Sequence, residues 1–222
     1  MPREGEVREV IIPPVGLAGT LHIPRAAHAI VVFAHGSGSS RLSPRNRMVA
    51  EALNAKGFAT LLFDLLTEDE EADRANVFDI PLLADRLTDA MRWLKHDAWA
   101  GGVPLGLFGA STGAAAAVVA AANSGAAVAA VVSRGGRPDL AGAALARVRA
   151  PTLLIVGGAD YGVIELNERA LAQLPGPKAL EIVAGASHLF PEPGAMEAVI
   201  AHAARWFTRY LVAPAQGRAE RA

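Results

Sequence analysis

Short runs of apolar residues alternate along the chain with longer segments in which apolar residues recur every three or four positions. The runs have the length of strands, and their continuous apolar character is typical of strands that are buried on both faces of a parallel sheet. They cover residues 29–34, 59–63, 104–108, 128–132 and 152–156, with a further candidate at 180–183. The longer segments predict helices over 44–56, 80–94, 114–122, 164–174 and 195–211. This alternation predicts a single α/β domain over residues 1–222, with a mostly parallel central sheet covered by helices on both faces.

The remaining segments complete this prediction. Residues 7–12 and 18–23 are expected to form two antiparallel strands at one edge, which brings the sheet to about eight strands. The acidic stretch 67–74 predicts a solvated loop, and the tail from about residue 213 is expected to be flexible. The segment 133–150 has room for one short helix but not for a large lid, so we expect an open active site.

Composition and charge exclude several classes of partner. The 21 basic and 22 acidic residues give a formal net charge of −1, which argues against nucleic acid or anionic lipid as a partner. The chain has no cysteine, which excludes disulfides, a thiolate nucleophile and a cysteine metal site. The first ten residues lack the apolar segment of a secretion signal, and no apolar stretch is long enough to span a membrane. We therefore expect a cytoplasmic protein.

The pentapeptide GASTG at residues 109–113 carries the strongest chemical signal. It follows a predicted strand and opens a predicted helix, the setting in which a serine is held on a sharp bend with its hydroxyl exposed. Gly109 and Gly113 would allow the chain to reverse close to its neighbours. Ser111 is thus predicted to be a nucleophile, although serine is also a common residue at the N-cap of a helix.

A serine nucleophile needs a base and an acid that orients the base. Of the six histidines, His188 lies in a loop directly after the last predicted strand, at the edge where open α/β folds place their ligands. Asp160 also follows a strand, and the order Ser111, Asp160, His188 is the one expected of a hydrolase built in this way. Asp160 could instead cap the helix that follows it. Asp64 and Asp139 are alternative acids at the ends of other strands.

Backbone donors for a developing oxyanion are expected from two places. One is the N–H of Thr112, and the other is an amide of the glycine-rich loop 35–40, most simply that of Ser37, with Gly36 allowing the turn. His35 is then expected to form structural hydrogen bonds rather than to act as a second base. A glycine-rich loop could also bind phosphate, but the two common nucleotide-binding signatures are absent from the sequence.

These motifs together resemble the α/β-hydrolase superfamily, and more closely its small, lidless, dienelactone hydrolase-like branch. The resemblance covers nearly all 222 residues. It matches an oxyanion loop and helix at 35–46, a nucleophile elbow at 109–113, an acid loop at 157–160 and a histidine loop at 185–190. Residues 133–142 are similar to uncharacterised hydrolases of this branch, some of them joined to a phosphoribosyltransferase domain that this sequence does not contain. Dienelactone hydrolases use a cysteine nucleophile; because this chain has none, the resemblance implies ester hydrolysis by serine.

The function predicted from the sequence is a serine hydrolase that cleaves carboxylic esters of small substrates through a Ser-His-Asp triad and an acyl-enzyme. It requires no metal and no organic cofactor. A thioesterase, lactonase or peptidase would use the same triad, and a non-catalytic α/β-hydrolase-like binding module is the alternative from a different class. We expect a monomer or a homodimer.

Three arginines bear on the choice of substrate. Arg41, Arg45 and Arg134 could face the mouth of the site and favour an acidic substrate, or they could form salt bridges at the surface. Leu189, next to His188, is a further candidate for substrate contact.

Overall fold

The computed structural model describes residues 5–97 and 99–212. Within them, eight strands form one sheet: β1 (Glu6–Ile12), β2 (Leu17–Ile23), β3 (Ala29–Ala34), β4 (Phe58–Phe63), β5 (Leu105–Ala110), β6 (Ala130–Arg134), β7 (Thr152–Gly157) and β8 (Lys178–Val183). Their spatial order is β1-β2-β4-β3-β5-β6-β7-β8. The pairs β1–β2 and β2–β4 are antiparallel, and all other neighbouring pairs are parallel. The predicted architecture is confirmed, while the tail from residue 213 lies outside the described residues.

The α-helices of this region are α1 (Pro44–Asn54), α2 (Glu68–Ala72), α3 (Arg74–Val77), α4 (Ile80–Lys95), α5 (Thr112–Ser124), α6 (Tyr161–Gln173) and α7 (Ala195–Leu211). Buried residues of α1 and α7 belong to the core on one face of the sheet, and those of α4, α5 and α6 belong to the core on the other. Successive residues of β3 alternate between these two cores. Burial on both sides explains why β3 has no polar positions.

Helix α5 lies close to the sheet because its side chains are small. Its alanines at 114–117, 120 and 121 are buried against the core. Alanine costs little side-chain entropy in a helix and permits a close approach to a neighbouring element. The N-terminus of α5 lies directly beyond the end of β5, because only Ser111 separates the two elements.

The acidic segment at 67–74 differs from the prediction of a loop, because it forms the short helices α2 and α3. Thr67 and Glu70 form a capping box, in which the Glu70 N–H donates to Thr67 Oγ1 (3.2 Å) and the Thr67 N–H donates to Glu70 Oε2 (3.0 Å). Acidic residues fill the first turn of α2, where the helix dipole favours negative charge. Neither helix buries a residue, so the segment is solvated as expected although it is helical.

The connection between β6 and β7 is short. Between β6 and β7 the chain forms a 3₁₀ segment, Pro138–Arg147, with no inserted lid. Throughout the described ranges, every helix is too short or too polar for a bilayer crossing.

Candidate active site

Ser111 lies on a sharp turn between β5 and α5. Its backbone has φ 51° and ψ −123°, a conformation that non-glycine residues rarely adopt. A Cβ at Gly109 would overlap the backbone of Ala114, and one at Gly113 would overlap the carbonyl oxygen of Ala34. Both positions therefore require glycine. The Ser111 side chain forms no capping hydrogen bond with α5, which leaves the hydroxyl available for another role.

Backbone hydrogen bonds hold this strained turn. The Ser111 N–H donates to the carbonyl of Arg134 (3.3 Å), and the Ser111 carbonyl accepts from the N–H groups of Ala114 and Arg137 (3.1 Å each). Strain of this kind costs about 1–3 kcal/mol and persists where surrounding structure enforces it. The loop after β6 thus fixes the position of Ser111.

His188 and Asp160 meet across the loops that follow β8 and β7. His188 Nδ1 lies 2.6 Å from Asp160 Oδ2, and the two side chains are 38% and 17% exposed. With its proton on Nδ1, the imidazole donates to the carboxylate and leaves Nε2 free to accept a proton. Asp160 occupies the N-cap position of α6, but its side chain makes no capping hydrogen bond. Its carboxylate is directed to the histidine instead.

The two alternative acids are engaged elsewhere. Asp64 accepts from the backbone N–H of Arg41 (2.8 Å) and pairs with its guanidinium (2.5 Å). Asp139 accepts two hydrogen bonds from the Arg137 guanidinium, each of 2.8 Å. Across residues 5–97 and 99–212, histidine and acidic side chains do not gather in groups of three that could hold a metal ion.

Ser111 and His188 line one cavity of about 240 Å³, together with Gly36, Ser37 and Leu189. Within the described part of the chain, no hydrogen bond joins the Ser111 hydroxyl to the imidazole of His188. Hydrogen bonds between a nucleophile and its base are often long without a substrate and shorten in the complex. Leu189 is 46% exposed and provides an apolar part of the cavity wall.

The loop after β3 approaches Ser111 closely. A Cβ at Gly36 would lie 2.8 Å from the Cβ of Ser111, so glycine is needed for this approach. The Ser37 N–H, predicted to be an oxyanion donor, donates to Thr112 Oγ1 at 3.0 Å. The Thr112 N–H belongs to the first residue of α5, where an amide has no partner inside the helix.

His35 ties this loop to the chain beyond β4. Its Nδ1–H donates to the carbonyl of Gly36 (3.0 Å), and its Nε2 accepts from the N–H of Leu65 (3.0 Å). Burial lowers the pKa of His35, mainly through loss of hydration, which keeps the ring neutral near neutral pH. Its contacts are those of a structural hydrogen-bonding residue.

Comparison with known proteins places this fold and geometry in a family. A family model described as an alpha/beta hydrolase domain matches residues 27–205. The chain belongs to the α/β-hydrolase family. A solved structure of a dienelactone hydrolase from Anabaena variabilis is 55% identical, with a TM-score of 0.91 over 94% of this chain and 100% of that one. This α/β-hydrolase therefore lies in the dienelactone hydrolase-like branch, as its motifs predict.

Two further relatives define the extent of the similarity. A lidless α/β serine hydrolase of Xanthomonas campestris shares the fold at 22% identity, with a TM-score of 0.74 over 96% of this chain and 98% of that one. A protein of Mycobacterium tuberculosis, whose name assigns it to the phosphoribosyl transferases, is 58% identical over 213 residues, which is 96% of this α/β-hydrolase and 48% of the relative. The chain spans about half the length of the curated relatives it matches.

The arginines of this α/β-hydrolase differ from one another in their surroundings. Arg134 lines the Ser111 cavity, and so does Arg45. Arg41 is paired with Asp64 and lines a neighbouring cavity, which shares the loop 36–39 with the Ser111 cavity; Arg41 does not line the Ser111 cavity itself. The hydrogen bond that the Thr112 hydroxyl accepts from the Ser37 N–H was not predicted from the sequence. A hydroxyl residue directly after Ser111 was the signal that could have indicated it.

Proposed function

We propose that this α/β-hydrolase cleaves carboxylic esters of small substrates, with Ser111 as nucleophile, His188 as base and Asp160 as the acid that orients the base. The observation that carries this proposal is the 2.6 Å contact between His188 Nδ1 and Asp160 Oδ2 beside a cavity that His188 shares with Ser111. The strained turn at Ser111 supports it, because such strain is concentrated at functional sites.

In the acylation step, Ser111 Oγ attacks the ester carbonyl carbon while its proton passes to His188 Nε2. The Asp160 carboxylate stabilises the imidazolium that forms. The tetrahedral oxyanion accepts hydrogen bonds from the amides of Thr112 and Ser37. The Ser37 N–H donates to Thr112 Oγ1 in the free enzyme; this contact holds the loop beside Ser111 and persists while the N–H also donates to the oxyanion. The intermediate collapses, and the alcohol leaves with the proton from His188.

In the second step, water hydrolyses the acyl-enzyme. His188 Nε2 takes a proton from the water as its oxygen attacks the acyl carbon, and the same amides stabilise the second oxyanion. Ser111 recovers its proton as the carboxylic acid is released. The connection between β6 and β7 carries no lid, so substrates can enter without a lid movement.

Hydrolysis of p-nitrophenyl acetate and butyrate tests this proposal. Ser111→Ala and His188→Ala are expected to lower kcat by at least about 10³-fold, because members of a triad act as a unit. Ser124→Ala and His96→Ala are matched controls at the ends of α5 and α4, away from the cavity, and should retain wild-type rates. Full turnover by Ser111→Ala would refute the assignment.

A parallel series of a thioester, a lactone and a peptide amide with the same acyl group separates the related activities. We expect the oxygen ester to give the highest kcat/KM. A non-catalytic binding module would hydrolyse none of the four compounds, and this result would replace the enzymatic proposal.

A further inference from the structure

Arg134 is a buried cation without an ionic partner. It ends β6 and is 5% exposed, and its Nη2 donates to Asn46 Oδ1 at 3.1 Å. Its Nε is buried and has no hydrogen-bond partner among the described residues. Burial of an unpaired charge is costly unless something compensates it. We therefore expect the positive charge of Arg134 to be compensated by a group that is not among the described residues.

Arg45, on α1, is a second cation at the same place. It is half-buried, it lines the same cavity, and its Nε is likewise buried without a partner among residues 5–97 and 99–212. Burial, together with the positive charge of Arg45, lowers the pKa of Arg134 to about 10, so the Arg134 guanidinium remains charged near neutral pH. No aspartate or glutamate lines this cavity within the described chain.

Other partly buried arginines of this chain are neutralised by carboxylates. Arg41, Arg86 and Arg137 have carboxylate partners at 2.5, 2.5 and 2.8 Å respectively. An unpartnered Nε is not the difference, because the Nε atoms of Arg41 and Arg86 are also buried without a partner among the described residues. Arg134 and Arg45 differ because neither has a carboxylate partner among the described residues, which leaves two like charges in the cavity that Ser111 lines. The first turn of α1 adds to this positive potential, since Ser43 and Asn46 also line the cavity.

We propose that Arg134 and Arg45 form an anion-binding subsite that holds a carboxylate or phosphate group of the substrate while Ser111 attacks its ester carbonyl. Guanidinium groups bind both anions through charge-assisted hydrogen bonds. Because Arg134, Arg45 and Ser111 line the same cavity of about 240 Å³, the anion of the substrate should lie a few bonds from the ester. The inference that the anion belongs to a substrate rests on the proposed ester hydrolysis. The inference that the subsite binds an anion does not depend on it.

Binding of inorganic phosphate and of acetate, measured by calorimetry and thermal shift, tests the subsite without catalysis. Arg134→Gln and Arg45→Gln should each weaken binding of the preferred anion by at least about tenfold. Arg47→Gln removes an exposed arginine of the same helix that lies outside this cavity, and should bind as the wild type does. Ser111→Ala should also retain binding. Equal binding by the wild type and both cavity variants, or binding of neither anion by the wild type, would overturn the proposal.

Activity on p-nitrophenyl esters of equal acyl length then tests the substrate class. The series has an acyl chain that ends in a methyl, a carboxylate or a phosphonate group. The wild type should prefer one anionic ester over the neutral one by at least about tenfold in kcat/KM, and the favoured anion identifies the natural group. Arg45→Gln and Arg134→Gln should each reduce this ratio towards one.

The outcomes separate the two proposals. If the wild type hydrolyses the neutral and anionic esters at equal rates, the anion subsite is wrong and ester hydrolysis stands. If it hydrolyses no ester, the proposed function is wrong, and the anion titration alone decides whether the subsite exists. If Arg134→Gln fails to fold because Arg134 is buried, Arg45→Gln on the helix decides both measurements.

Discussion

His188 Nδ1 lies 2.6 Å from Asp160 Oδ2, although the two residues are 28 positions apart. They follow the neighbouring parallel strands β8 and β7, whose carboxyl ends lie at the same edge of the sheet. The pairing of these two strands therefore brings the two loops together.

Asp160→Asn tests the role of this carboxylate. The amide retains the shape but not the negative charge, and it can favour the wrong tautomer of His188, so kcat for p-nitrophenyl butyrate should fall by about 10³-fold. Asp139→Asn alters a carboxylate that is paired with Arg137, and kcat should stay within about threefold of the wild type. A large loss for Asp139→Asn with little loss for Asp160→Asn would assign the acid differently.

Thr112→Val tests the hydroxyl that accepts from the Ser37 N–H at 3.0 Å. Valine has nearly the shape of threonine but no acceptor, so the loop that carries Ser37 should lose its alignment with the oxyanion. We expect kcat to fall about tenfold with little change in KM, because this contact bears on the transition state.

Thr112→Ser provides the matched control. It retains the hydroxyl, and its kcat should stay within about threefold of the wild type. Equal kcat values for Thr112→Val and the wild type would show that the loop is held without this hydrogen bond.

The lowered pKa of His35 predicts a dependence of stability on pH. Below its ordinary pKa of 6.5 the unfolded chain takes up a proton that the folded protein resists, so the free energy of unfolding should decrease as pH falls from 6.5 towards the lower folded-state pKa. Urea denaturation at about pH 8 and about pH 5 measures this difference, which should be smaller in His35→Gln than in the wild type.

His96→Gln serves as the control for the pH series, because His96 is an exposed residue at the end of α4. It should show the wild-type difference between the two pH values. If His35→Gln shows that difference as well, protonation of His35 does not account for it.

The sheet could be predicted because its physical signal is local. Strand β3 is buried on both faces, so the six residues 29–34 read as an unbroken apolar run with the bounds found in the structure. The expected side-by-side location of Asp160 and His188 followed from their positions after parallel strands. The catalytic roles of these residues, the oligomeric state and the cytoplasmic location stay predictions.

Other features depend on contacts that spacing along the chain does not reveal. The sequence gives no reason to treat Arg41 and Arg134 differently. In the structure, however, Arg41 is paired with Asp64, and Arg134 is buried without a carboxylate partner among the described residues. The capping box at Thr67 made an acidic stretch helical, because two side chains satisfy backbone donors that a loop would leave to water.

Labelling with a fluorophosphonate, followed by peptide mapping, tests most directly whether Ser111 is an activated nucleophile. An activated serine hydroxyl forms a stable phosphonate ester, whereas ordinary serines do not react. We expect one adduct on Ser111 in the wild type, none in Ser111→Ala, and slower labelling in His188→Ala. An unlabelled wild type, or equal labelling of Ser111→Ala, would contradict it.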